Sequence, residues 1–259
     1  MYEITISRES FPRESFLIKL IMKNLVLIIT LLLFNRASAQ AVSGTAEYQV
    51  VIGKDSLFQS HDALKTIYSD AMEVSKDFVF KLQFNNNESL FTLDKKISEP
   101  IHDFALSMVD FINPIYTNIK TDEKIYTSQD NEFLITDSIY SDWKLSSETK
   151  MIDNYLCYKA TGEHKITNGR GVFKFPVTVW FCPALPYSFG PIGNGKLPGL
   201  IVEYHRRNFV YGLKKLTTND KIIEIKKPSK GHKISSQAYN TKLIEAYKRS
   251  KEDFERSKN

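Results

Sequence analysis

From Lys124 onward the sequence reads as one strand after another, and no other feature narrows the fold so far. Lys124–Thr127 and Glu132–Thr136 flank a turn at Gln129-Asp130-Asn131. Trp143–Lys150 and Ile152–Ile166 come next, and Asn168-Gly169-Arg170-Gly171 turns into Val172–Phe181. Leu200–Arg206 turns at Arg207-Asn208 into Phe209–Leu216, and Lys221–Lys226 reads as a last strand. Runs rich in β-branched and aromatic residues, cut by tight polar turns, form antiparallel hairpins. Many short ones in series predict a meander folded into a curved sheet or half-barrel.

Upstream of that run the pattern is mixed. Val42–Ile52 reads as an opening strand, and Asp77–Phe84 pairs with Ser89–Leu93 across a turn at Asn85-Asn86-Asn87-Glu88. Asp62–Ser75 places Leu64, Ile67, Ala71 and Val74 at spacings of three and four, a helical face. Residues 95–122 are the least patterned, with a short helix expected over Ile101–Phe111. At the C-terminus Tyr239, Leu243, Tyr247 and Phe254 share one helical face, with Lys242, Lys248, Arg249 and Lys251 elsewhere. The expected fold is therefore mainly β, an antiparallel curved sheet or half-barrel with a C-terminal α-helix packed on it.

The N-terminus speaks to location. Met22-Lys23-Asn24, an apolar run from Leu25 to Phe34 and Ala37-Ser38-Ala39 have the three parts of a secretory signal peptide, expected over 22–39. The apolar run is shorter than the roughly 20 residues a membrane helix needs, and no Cys ends it. Residues 1–21 read as an upstream extension of the gene model, the other reading being a long charged signal n-region. Residues 40–259 then form one domain, 42% of the whole chain is hydrophobic and 12% aromatic, and disorder is excluded. No later segment is apolar enough to span a bilayer, so the destination is the periplasm or the outside.

Charge is uneven along this domain. Residues 205–259 hold 15 Lys and Arg against 6 Asp and Glu, whereas residues 40–204 hold 15 against 21. Such a basic quarter fits an anionic envelope surface, or a solvated face that complements the acidic part of its own domain. Nucleic acid is not expected, since no binding module accompanies the charge.

Cys157 and Cys182 are the two cysteines, in a context where a disulfide persists. If the hairpin loop is the four residues 168–171, Thr167 faces Val172 and the cysteines sit directly opposite, on one face and close enough to bridge. A two-residue Asn-Gly turn would instead set Cys157 against Trp180. Both cysteines fall on the more polar side of their strands, with Lys159, Thr161, Thr178 and Trp180. A redox role lacks the C-x-x-C spacing, so the bridge would be structural.

Chemistry has little to work with. The five histidines, His61, His102, His164, His205 and His232, show no zinc spacing, and no nucleophile elbow, P-loop or dinucleotide fingerprint occurs. No metal or cofactor is expected. Glu203 and His205 lie two apart on a strand and so share a face, as a general acid/base pair would need. The plainer reading is a charged pair on the solvent side of a sheet. Gly190-Pro191-Ile192-Gly193-Asn194-Gly195 is glycine-rich but precedes a strand, so it lacks the helix N-terminus of a phosphate cradle.

The hexapeptide Lys196-Leu197-Pro198-Gly199-Leu200-Ile201 resembles the signature of the GLPGLI family, exported proteins of Bacteroidota without an established biochemical function. Trp143, Thr149-Lys150-Met151-Ile152, Tyr155 to Ala160, Val179-Trp180-Phe181, Leu185-Pro186 and Gly190-Pro191 fall in the order that family shows. The likeness is strong over 126–216 and weaker before it, where it rests on Phe80–Phe84 and Glu88–Phe91. Cys157 stands where the family often has Cys; Cys182 is less expected. Lys196 stands where the signature's first Gly would be, so it is strained there or Gly195 takes over the bend. Independently of the likeness, Pro198 and Gly199 suit the second and third positions of a type II turn, with Leu197, Leu200 and Val202 plugging into the core. A structural clasp is favoured over a ligand loop. The resemblance implies an envelope accessory factor, and the shape implies a non-enzymatic binding module whose concavity takes a hydrophobic ligand. The alternative is a structural or protein-interaction component with an envelope protein as partner; a hydrolase using Glu203 and His205 comes last.

Overall fold

A computed structural model describes residues 22–23, 43–55, 58, 60, 62–95, 97, 99–168 and 170–258. The chain divides into two units, Met1–Gln40 and Ala41–Asn259, and the sheet and helices belong to the second. The signal peptide and upstream extension lie outside the described residues except for Met22 and Lys23. In chain order the elements are β1 (Ser43–Ile52), α1 (Asp62–Ser75), β2 (Val79–Asn85), β3 (Glu88–Leu93), α2 (Pro100–Met108), β4 (Ile115–Asn118), β5 (Glu123–Thr127) and β6 (Phe133–Asp137). There follow β7 (Lys144–Ile152), β8 (Tyr155–Asn168), β9 (Gly171–Cys182), β10 (Leu200–Arg206), β11 (Phe209–Asn219), β12 (His232–Ser235) and α3 (Ser236–Arg256).

All twelve strands join one sheet in the order β12-β6-β5-β4-β3-β2-β1-β11-β10-β9-β8-β7. Neighbours are antiparallel except β12, which lies parallel to β6. The sheet rolls as twisted sheets of this width do. Its curl shows in α3, which touches β6 and β12 at one end of the order and β8 near the other. The C-terminal helix thus lies across the seam of an open half-barrel, with Tyr239 against Phe133 at 5.7 Å between ring centres.

The concave face is filled by the chain itself. Tyr48, Phe80, Leu82, Phe84, Phe91, Tyr204, Phe209 and Tyr211 are all buried on it. One end is plugged by α2 and the turn after it. There Phe111 meets Phe80 edge-on at 5.1 Å, and the Tyr211 hydroxyl donates to the Val109 carbonyl at 3.0 Å. The other end is plugged by the Pro/Gly segment 183–199, whose Tyr187 and Phe189 rings pack on Phe84. Apolar and aromatic area buried this way is the main source of stability in such a fold.

Three expectations are corrected. No strand forms over Lys221–Lys226: both edges of β3 to β5 are already paired, so the segment crosses their outer face. There Ile225 joins Tyr116, Ile125 and Leu134 in a second small core, and the last strand is His232–Ser235 instead. The face of α1 is also turned. Leu64 and Ile67 are exposed, and the buried side is Tyr68, Ala71 and Ser75. Tyr68 sets that rotation, because its hydroxyl donates to the Gly53 carbonyl at 2.5 Å and its ring stacks on Phe58. Finally, β4 emerges from the unpatterned stretch between α2 and β5.

Candidate functional site

The glycine-rich corner sits at the start of β10, against the end of β9. Leu197, Leu200, Ile201 and Val202 are buried, as expected of a core plug, and Pro198 is exposed. The turn itself differs from the expected type II form. The Gly199 N–H donates to the Leu197 carbonyl at 2.8 Å, closing a three-residue bend around Pro198, and the Leu200 N–H goes to Leu185. Gly199 does take a positive φ, of 153°, and a Cβ there would stand 2.2 Å from the Cys182 carbonyl oxygen. Close approach to β9 is therefore what demands glycine.

Lys196 holds a left-handed φ of 61° itself, so Gly195 does not relieve it. In exchange its ammonium reaches Asp122 at 2.6 Å, in the turn between β4 and β5. That contact, chiefly the hydrogen bond from Lys196, holds the Asp122 carboxyl below its usual range. The Trp143 indole N–H donates to the Gly195 carbonyl at 2.9 Å, and Phe189 bridges Gly195. Ile192 adds a β-branched residue at φ 56°, a rare and costly conformation. Residues that carried the resemblance thus converge on one internal clasp.

Cys157 and Cys182 form a disulfide with a Cα separation of 4.4 Å. The register is that of the four-residue loop, with Thr167 opposite Val172. The bond ties the β8–β9 hairpin where Gly199 presses on Cys182, so it backs the corner.

Glu203 and His205 do share a face, the convex one, opposite Trp180 and Thr178 of β9. His205 Nε2 lies 2.7 Å from Glu203 Oε2, and Lys150 Nζ lies 2.6 Å from the same oxygen. Lys150 is level with Cys157 on β7 and passes over the Trp180 ring at 4.5 Å. The His205 and Lys150 contacts hold the Glu203 carboxyl below its usual range. A general acid needs the opposite shift; the contacts of the trio run from β7 to β10.

Sequence reasoning missed Lys150, Asp122 and, above all, Arg206. Arg206 is buried on the concave side, pairs with Asp110 after α2, and lies 5.4 Å from the Phe209 ring centre. Burial first, then Arg207 beside it, pushes the guanidinium down to about 9. The signal was available: if Glu203 and His205 face out, Tyr204 and Arg206 face in. Among the described residues no cluster of His, Cys, Asp and Glu could hold a metal ion.

No family model and no curated protein matches the chain. Among solved structures it is similar to PNGF-II in two crystal forms, with 16% identity in each and TM-scores of 0.48 and 0.49. The likeness covers 78% and 80% of this chain, which spans about a third of the length of those proteins (33% of each).

Proposed function

We propose that this chain is an exported, non-catalytic interaction module of the cell envelope, a structural or protein-contacting component more than a carrier. One observation carries the reading: the concave face, where a carried molecule would sit, is occupied by the chain's own aromatic residues from both ends. Large apolar side chains are instead exposed near the β7 edge of the sheet, with Leu145 at 63% and Met151 at 61%. Among the described residues β7 has one unpaired edge, and such an edge with such residues suits an extended segment of a partner protein. Export is supported by the disulfide and the signal-like N-terminus, and by the resemblance to GLPGLI proteins. The acid/base reading of Glu203 and His205 is the least supported, given their mutual pinning with Lys150.

Three measurements test this. Native mass spectrometry of the chain isolated from its own envelope should give the bare polypeptide mass, and a fluorescent apolar probe such as N-phenylnaphthylamine should show no saturable binding. A photo-crosslinking residue at Met151 should yield protein adducts in the envelope fraction. A lipid-sized adduct, saturable probe binding or a silent Met151 would overturn the proposal in favour of a carrier.

A further inference from the structure

The β8–β9 hairpin outruns its neighbours in the sheet. Pairing with β7 stops at Thr161, and pairing with β10 stops at Val177. Beyond those points the rows from Glu163 and Pro176 to Asn168 and Gly171 stand as a two-stranded arm, roughly 17 Å long. A lone ribbon is marginal in water, so what its side chains face matters. The helix α3 touches β8, but the outward side and the last rows stay open, with Val172 at 61% and Phe173 at 40% exposure.

Register fixes which side chains share the outward side. Glu163 faces Pro176, Lys165 faces Lys174 and Thr167 faces Val172, and alternate rows point the same way. Lys165 and Lys174 are exposed and directly opposite, a pairing of like charges that costs stability. Glu163, the one acid of the arm, lies 3.5 Å from Lys174 and pairs with only one of the two. Arg170 adds a third cation at the turn, and at the base Arg207 stacks on Phe175 at 3.8 Å. An anion set between the two lysines turns their repulsion into attraction.

The tip says what carries that anion. Val172 lies on the outward side and Phe173 on the inward one, so apolar groups are exposed on both sides of the ribbon. A flat protein face would leave one side bare, and a soluble phosphate would cover neither. A further strand is disfavoured by Pro176 and the lysines. A lipid surface takes both sides. Val172 stands two residues, about 7 Å, beyond Lys174, within the depth of about 5–10 Å that interfacial segments reach. Arg170 is long enough to return its guanidinium to the phosphates.

We propose that the β8–β9 arm docks the protein on an anionic phospholipid surface, with Lys165 and Lys174 on lipid phosphates and Val172 and Phe173 entering the boundary beneath them. The cationic contact is then this arm and not the basic C-terminal quarter. It is independent of how the β7 edge is used.

Cosedimentation of the chain with phosphatidylglycerol vesicles tests it. Binding should be strong at low salt, weaken as salt rises, and be slight on phosphatidylcholine. Lys165→Glu/Lys174→Glu should weaken it by about tenfold or more, and Val172→Ser/Phe173→Ser should weaken it as well. The same charge change at two exposed lysines of the C-terminal quarter, Lys226→Glu/Lys230→Glu, should leave it within about twofold of wild type. Tryptophan emission from Phe173→Trp should move to the blue on the anionic vesicles, and unchanged circular dichroism should confirm that each variant folds. Equal binding to both lipids, an arm variant that binds as wild type, equal loss in Lys226→Glu/Lys230→Glu or an unmoved emission would each overturn the proposal. Release from vesicles by inorganic phosphate at constant ionic strength would also overturn it, assigning the lysines to a free anion. So would a photo-crosslinking residue at Val172 that yields protein adducts and no lipid adduct, assigning the arm to a protein partner.

Discussion

Lys196 combines two opposed effects in one residue. Its left-handed backbone costs on the order of 1 kcal/mol for a side chain with a Cβ, while its half-exposed ion pair with Asp122 returns no more than about 1 kcal/mol. Lys196→Gly loses the pair but relieves the backbone, so its stability should fall within about 1 kcal/mol of wild type. Lys196→Ala loses the pair and keeps the strain, and should be the less stable of the two in urea unfolding. Gly199 allows no such exchange. An alanine Cβ would meet the Cys182 carbonyl, which is backbone and cannot step aside, so Gly199→Ala should cost at least about 2 kcal/mol. Arg206→Ala should cost about 3 kcal/mol or more, because it strands the Asp110 carboxylate that it neutralises. Equal stability of Gly199→Ala and wild type would mean that the corner is not pressed on β9.

Among the elements, the β8–β9 hairpin was the most legible from sequence, and the reason is physical. A tight hairpin fixes its own register through the turn, so only two registers were open, and the observed one, with Thr167 opposite Val172, is the one that sets Cys157 against Cys182. Breaking the bond by Cys157→Ser should lower stability by about 3 kcal/mol, given a sequence separation of 25 residues. The same loss on adding reductant to wild type, and none on adding it to the variant, would assign the effect to the bond. Strands with two-sided packing were harder to read. Ile115–Asn118 is buried on both faces and so shows no alternation. Lys221–Lys226 has strand-like composition, but β3, β4 and β5, which it crosses, are already paired on both edges. In α1 the period was right and the phase wrong, since an apolar count passes over Tyr68, whose ring does the packing. As for the candidate site, Leu197 and Leu200 are buried as expected, but the bend between them is not the type II turn that Pro198-Gly199 suggested. The corner's partners Trp143, Asp122 and Cys182 come from three other parts of the chain, and only the rolled sheet brings them together.

The roll of the whole sheet also sets a proton balance. His164 lies on the inward side of β8, level with Phe175 of β9. Across the seam it feels Lys124 of β5 as well as Arg207. Burial first, then those two cations, pull His164 down to about 4, against a lesser opposing pull from Asp137. In the unfolded chain it titrates near 6.5. A depressed folded value means that the native state resists the proton which the unfolded state accepts. The resulting stability is fully present above about pH 6.5 and is lost as pH falls toward 4. Asp122, Glu123, Asp130 and Glu203, all held low by their partners, follow the same sign, but their window opens only below the ordinary carboxylate range. Between pH 6.5 and 5 the decline should therefore belong largely to His164, with a slope approaching about 1.4 kcal/mol per pH unit. Urea unfolding at pH 7, 6 and 5 measures it, and His164→Gln should flatten the profile over that interval. A variant that keeps the wild-type slope would mean that the tip of β8 does not close on β5, and that the half-barrel is more open than its seam implies.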